Sequence, residues 1–341
     1  MFRPQTTGAK ERASSPTEWC TIRDAMTGLI YDERFLLHDT GAGHPERAGR
    51  LKAIVQRLKE DGAWDKLLHI PAEPAELKWI HRLHDERYVA RLRSACERGD
   101  AIIDTADCPI CPRTYEIALL AAGGALAGVD AIMQGRVANA FCALRPPGHH
   151  AERSSAMGFC FFGNVALAAD YTIARHDVQR VAIVDFDVHH GNGTQHLLEE
   201  RSDVLFISLH EHPDYLYPGT GFAEETGIGE GEGFTINLPI VPPAGDAEYR
   251  RLFETRVIPA LDEFKPQFIV VSAGFDAAMD DPLAHMEVTA EGFAWMTRAL
   301  LAAAKRHADG RLLSCLEGGY DLNNLAAGVS AHVRELLAAA K

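Results

Sequence analysis

Between Val181 and Thr194 the chain reads Val-Ala-Ile-Val-Asp-Phe-Asp-Val-His-His-Gly-Asn-Gly-Thr. An apolar run suited to a buried strand ends in Asp185, Asp187, His189 and His190, and a glycine-rich turn follows. Two carboxylates and two imidazoles at the end of such a strand are costly to desolvate unless they are paired or hold a metal. Nitrogen and oxygen donors without a thiolate suit a catalytic zinc or iron(II) better than a structural zinc. Alternate residues of an extended segment face the same way. Asp187 and His189 can therefore address one ion, with Asp185 one step deeper on the same side. The competing reading is a metal-free network of buried ion pairs, but nothing cationic is coded beside these residues.

Three more apolar runs end in chemistry. Ala138–Leu144 leads into Arg145-Pro-Pro-Gly-His149-His150, Phe268–Ser272 into Ala-Gly-Phe-Asp276, and Leu312–Leu316 into Glu317-Gly-Gly-Tyr320. Sites in open α/β sheets lie beyond the carboxyl ends of parallel strands, so four such ends can converge on one pocket.

These four motifs, in this order, resemble the histone-deacetylase and acetylpolyamine-amidohydrolase superfamily of metal-dependent deacetylases, over a span from Leu29 to about Leu337. The wording is closest to the class II and bacterial members: Asn192 stands where class I enzymes carry Asp, and Met157-Gly158-Phe159-Cys160 and Ser272-Ala-Gly-Phe-Asp276 have the class II form. The resemblance implies a single-domain, arginase-like, three-layer α/β fold with a mostly parallel sheet flanked by helices and a tunnel to the metal. It implies Asp187, His189 and Asp276 as ligands of zinc, with iron(II) the alternative. His150 matches the general base and Asn192 its partner. His149 matches the companion histidine with Asp185 behind it, and Tyr320 the donor to the oxyanion.

The resemblance further implies tunnel walls at Gly158, Phe159 and Tyr217, a rim acid at Glu86, a gatekeeper at Leu283 and a cavity arginine at Arg47. It implies one structural potassium at Asp185, Asp187, His189, Ser208 and Leu209, and a second cation at Leu198, Arg201 and Val204. The expected reaction is hydrolysis of acetyl or a short acyl group from the ε-amine of acyl-lysine by metal-activated water, on a peptide or protein. An acetylpolyamine is the alternative substrate; polyamine-selective relatives tend to carry Glu at the gatekeeper, and Leu283 offers only apolar contact. A catalytically silent acyl-lysine scaffold is the reading from another class, and it predicts loss of a ligand, of His150 or of Tyr320; all are present. A two-manganese ureohydrolase shares the architecture but needs more bridging carboxylates and histidines. A homo-oligomer is expected by family analogy.

A net charge of −14 disfavours nonspecific binding to nucleic acid or to a membrane surface. No apolar run reaches about 18 residues without a charge. Seven cysteines at scattered spacings suggest reduced thiols and a cytoplasmic setting. Cys108-Pro-Ile-Cys111 is a lone pair, poor as a zinc site, and reads as loop thiols or a redox pair near the rim.

Residues 1–26 hold scattered charge and no apolar signal core, and read as a disordered tail before one domain over 27–341. The elements expected to position the motifs are a first strand over Gly28–Tyr31 and a helix starting near Pro45, with Leu51, Ile54, Val55 and Leu58 at helical spacing. Further helices are expected over Tyr88–Cys96, Tyr115–Met133, Asn164–Arg175, Tyr249–Leu261, Glu291–Arg306 and Leu325–Ala340. Loops over 31–44, 145–162 and 210–232 should build the mouth, with His38 and His44 candidates to border it. His81, His84, His196, His210 and His212 read as surface or supporting residues.

Overall fold

The computed structural model describes residues 26–340, so the expected tail lies, Met26 apart, outside the described residues. Eight strands form one sheet: β1 (Thr27–Ile30), β2 (Leu68–Ile70), β3 (Asn139–Cys142), β4 (Val181–Asp185), β5 (Val204–Glu211), β6 (Thr235–Ile240), β7 (Phe268–Ala273) and β8 (Leu312–Leu316). Their order is β2-β1-β3-β8-β7-β4-β5-β6, and every pairing is parallel. Parallel neighbours need long crossovers, usually helical. Those helices are α1 (Gly49–Glu60), α2 (Leu77–Ile80), α3 (Glu86–Arg98), α4 (Thr114–Met133), α5 (Asn164–Arg175), α6 (Asn192–Leu198), α7 (Asp246–Leu252), α8 (Ile258–Phe264), α9 (Ala290–His307) and α10 (Leu322–Ala339).

The helices form two layers. One joins α1, α9 and α10; the other is built on α4 and α5, and the central strands touch both. This explains why β3, β4, β7 and β8 are apolar almost throughout and wholly buried. Helix α4 is long and apolar enough to cross a membrane, but 78% of that stretch is buried in the fold.

Strands β3, β8, β7 and β4 are the four consecutive central neighbours of the sheet. They are also the four strands whose runs end in chemistry. Residues scattered from Arg145 to Tyr320 thus meet along one carboxyl edge.

Two sequence expectations need correction. Pro45 does not open a helix: the segment turns there, with Thr40 Oγ1 donating to Glu46 O, and α1 begins at Gly49. The helix expected over Tyr249–Leu261 is α7 and α8 joined through a π-turn at Phe253–Val257. Three strands, β2, β5 and β6, and helices α2 and α6 lie where no element was expected.

Several histidines are sealed in the core as neutral rings. Burial lowers His38, His84 and His210 to about 4 and His332 to about 3. Their unfolded value is near 6.5. As pH falls through 6.5 the unfolded chain binds protons that the folded chain refuses, so stability is lost from there down to about pH 4. Urea unfolding measured from pH 7.5 to 5 is expected to show a falling midpoint, with several protons taken up per molecule unfolded near pH 5.

Candidate metal and catalytic site

The end of β4 presents Asp187 and His189, and the end of β7 presents Asp276. One donor atom from each lies within 4.8 Å of the others, and all three residues are buried. His189 Nδ1 stands 3.1 Å from an oxygen of both Asp187 and Asp276. One ring proton cannot satisfy both carboxylates at once, and the set carries excess negative charge out of water.

Backbone donors hold the carboxylates from outside. Gly318 N–H donates to Asp187 Oδ2 (2.7 Å), Val188 N–H to Asp276 Oδ1 (2.9 Å) and Asp187 N–H to Asp185 Oδ1 (3.0 Å). Gly318 has to be glycine, because a Cβ there would run into the carboxylates of Asp276 and Asp187. Burial and Asp187 together raise Asp276 to about 7. Burial works against charge on His189, but bonds to Asp187 and Asp276 outweigh it and raise the ring to about 10. Two hard oxygens, one imidazole and no thiolate in a sealed, electron-rich pocket fit a divalent metal.

The loop after β3 sets two histidines side by side, ring centroids 4.0 Å apart. His149 Nδ1 bonds Asp185 Oδ2 at 3.1 Å. Burial opposes its charge, but Asp187 and Asp185 prevail and raise it to about 10. His150 Nδ1 bonds Asn192 Oδ1 at 2.6 Å. Burial and then the neighbouring His149 and His189 push His150 well below its usual value. The surroundings therefore favour the charged form of His149 and the neutral form of His150.

Gly158 (φ 55°) and Phe159 (φ 67°) are both left-handed, a conformation that favours glycine and strains Phe159. A Cβ at Gly158 would strike the His150 ring. Phe159 packs edge-on against Tyr320 (5.9 Å) and His44 (4.7 Å). Tyr217 packs against His150 (5.2 Å) and His189 (6.4 Å) while 40% exposed, so it links the buried group to solvent. Leu283 and Tyr320 hang on one carboxylate: Asp281 accepts from Leu283 N–H (3.0 Å) and Tyr320 N–H (2.7 Å).

Glu86 is not brought to this group. It stands in solvent at the start of α3, 3.6 Å from His81. The acid at the aromatic walls is Asp107, which accepts from Gly158 N–H at 3.2 Å and adds to the raised pKa of Tyr217. Arg47 is exposed as well. The buried arginines are Arg50 and Arg145, clamped on Glu46 at 3.3 and 2.6 Å, all without solvent access. His84 and His210 are fully buried, not at the surface. Cys108 is buried, which raises its thiol to about 12, so it lacks a reactive thiolate's setting; Cys111 Sγ accepts from Thr114 Oγ1 (3.4 Å).

The model of the histone deacetylase domain matches residues 44–336. The chain belongs to the histone deacetylase family. A histone deacetylase-like amidohydrolase of Pseudomonas aeruginosa is 42% identical over 314 residues, covering 86% of this chain and 81% of that protein. A probable deacetylase of Archaeoglobus fulgidus is 40% identical over 299 residues, covering 87% and 82%. Among solved structures, the HDA15 HD domain superposes with a TM-score of 0.87 at 38% identity, covering 93% of this chain and 89% of that one.

In this deacetylase Arg50 ties α1 to the loop that carries Tyr320. Its Nε donates to Gly319 O (2.7 Å), its guanidinium donates to Glu317 O (2.5 Å), and its plane lies 5.0 Å from the Tyr320 ring centroid. Arg50→Met keeps bulk but frees that loop. We expect kcat to fall about 10²-fold, the scale of a 1 Å misplacement, with bound metal unchanged by elemental analysis.

Proposed function

We propose that the chain is a zinc-dependent amidohydrolase that removes acetyl, or another short acyl group, from the ε-amine of acyl-lysine. The observation that carries this reading is one juxtaposition. A buried Asp187–His189–Asp276 set, an amide-bonded His150 beside a carboxylate-bonded His149, and Tyr320 beside Phe159 lie together at one edge of the sheet.

Zinc held by Asp187, His189 and Asp276 would supply Lewis acidity and lower the pKa of water to about 7. His150 is neutral, with its Nδ1 proton bonded to Asn192, so its Nε2 is free to take a proton from water and later return one to the leaving amine. His149, kept cationic by Asp185 and Asp187, balances charge that builds up beside it. Burial raises the Tyr320 phenol well above its usual value against the opposing pull of Arg50. It therefore stays protonated and can donate to a developing oxyanion. Phe159 and Tyr217 give apolar walls for an aliphatic stem, and Leu283 an apolar rim. A structural potassium fits the reading, since Asp185 lies in register opposite Ser208 at the ends of β4 and β5; the second cation would use Leu198, Arg201 and Val204 between α6 and β5. Six unpaired thiols among the described residues suit a reducing compartment.

Acetylpolyamine remains the second reading because Asp107 stands at the aromatic walls and can face a substrate ammonium as well as a peptide amide. We expect kcat/KM for an acetyl-lysine peptide to exceed that for an acetylpolyamine by at least ten-fold; the reverse order would reassign the substrate. Tyr320→Phe should retain metal and lose about 10²–10³-fold in kcat, as loss of an oxyanion donor does. Chelation should abolish turnover and zinc should restore it. Activity indifferent to chelators would remove the metal from the reading.

A further inference from the structure

His150 faces an amide, Asn192, where a carboxylate would give it a direct counter-charge. The structure places such a charge one bond further out. Asn192 Nδ2 donates to Glu152 Oε1 at 2.6 Å and lies 3.4 Å from Met157 Sδ. Glu152 is itself held by His196, whose Nδ1 is 2.8 and 3.0 Å from its two oxygens. The Glu152 and His196 side chains are 22% and 42% exposed. A chain of three hydrogen bonds thus runs from a sealed imidazole to the surface.

The direction of each bond follows from the donor inventory. A carboxylate only accepts, so Asn192 must turn its NH2 toward Glu152 and its oxygen toward His150. An amide oxygen also only accepts, so His150 carries its proton on Nδ1 and leaves Nε2 bare. Glu152 thereby selects the tautomer of a ring it does not touch. The amide is conjugated, and hydrogen bonds in series polarise one another. An anion at the NH2 end makes Asn192 Oδ1 a stronger acceptor than a solvated amide. His150 is then more basic than it would be against a neutral amide alone, and less basic than against a carboxylate.

We propose that Glu152 is a positioning residue for His150, acting through the Asn192 amide and anchored by His196. The proposal rests on the reading of His150 as the general base. The other charged groups facing His150 are His149, His189 and Asp187; those facing His196 besides Glu152 are Glu199 and Glu225. None of them bonds Asn192.

The test is kcat, KM and the pH profile of kcat/KM for wild type, Glu152→Gln, Asn192→Ala, the double variant and His150→Ala, with metal content and unfolding midpoint for each. Glu152→Gln keeps shape and an accepting oxygen but removes the charge, on a residue open enough to tolerate the change. We expect about ten-fold loss in kcat, KM within about two-fold, and unchanged metal. Loss of the anion makes the imidazolium easier to deprotonate, so the acid limb should move to lower pH by about half a unit. In the Asn192→Ala background the same change should cost nothing more. An unmoved limb, or the same loss in both backgrounds, would reduce Glu152 to a structural role. If Asn192→Ala fails to fold, the limb shift in Glu152→Gln decides alone. His150→Ala separates the two readings. If it stays active, the general-base reading fails and takes this proposal with it. If it is inactive while Glu152→Gln matches wild type, only the Glu152 proposal falls.

Discussion

The constraint on which the structure depends is the cost of keeping carboxylates dry. Asp185, Asp187, Asp276 and Glu317 are all fully buried along one edge of the sheet. Each is held by backbone N–H groups, several of them from another strand end. Gly318, after β8, donates to Asp187 at the end of β4; Val188, after β4, donates to Asp276 after β7; Gly148 and His149, after β3, donate to Glu317 after β8 at 2.7 and 3.2 Å. The carboxylates therefore do two things. They collect negative charge at one point, and they lace four strand ends together, so that the pocket's geometry and its electrostatics arise from the same bonds. Charge-assisted bonds of this kind are about twice as strong as neutral ones, and a cation held there would complete the balance.

A second charged layer lies beyond the first. Glu46, with no solvent access, is clamped by Arg145 and Arg50. Burial alone would raise its pKa, yet the two guanidinium groups hold it down at about 2. Arg50 then reaches the carbonyls of Glu317 and Gly319. A helix that contributes nothing to the metal set is in this way coupled to the loop of Tyr320, and its arginine also lies 5.0 Å from the phenol ring.

Much of this was legible in the sequence, and the reason is physical. The central strands are buried on both faces, so each reads as an unbroken apolar run, and the chemistry begins where the run stops. Asp187, His189, Asp276, His149 and Asn192 are local to those ends, and the structure brings them together. Strands β2 and β6 are short or alternate in burial, and α6 is a seven-residue helix inside a glycine-rich turn; neither pattern stands out. The errors concern charges whose burial is decided far away. Arg145 meets Glu46 across 99 residues and Arg50 meets Glu317 across 267, and no window reveals such pairs. Glu86 was favoured by its neighbourhood in sequence, yet it opens α3, where an acidic side chain in the first turn favours the helix dipole and faces water. Asp107 sat unremarked immediately before the cysteine pair that drew attention to that loop.

The two adjacent histidines show how little is needed to divide the labour of a site. They share a loop, a degree of burial and nearly a van der Waals contact. His149 faces a carboxylate and its charged form is favoured; His150 faces an amide and its neutral form is favoured. Their states also reinforce each other, because a charge on His149 disfavours a second charge 4.0 Å away. A carboxylate behind both rings would make His150 easier to charge, against the burial and the neighbouring His149 and His189 that hold it neutral. An amide behind both would leave Asp187 as the main group favouring charge on His149. The difference between Asp185 and Asn192 adds to what burial and Asp187 already impose, and together they favour one ring for electrostatics and the other for proton transfer. It works only where burial leaves a few close partners to decide the charge.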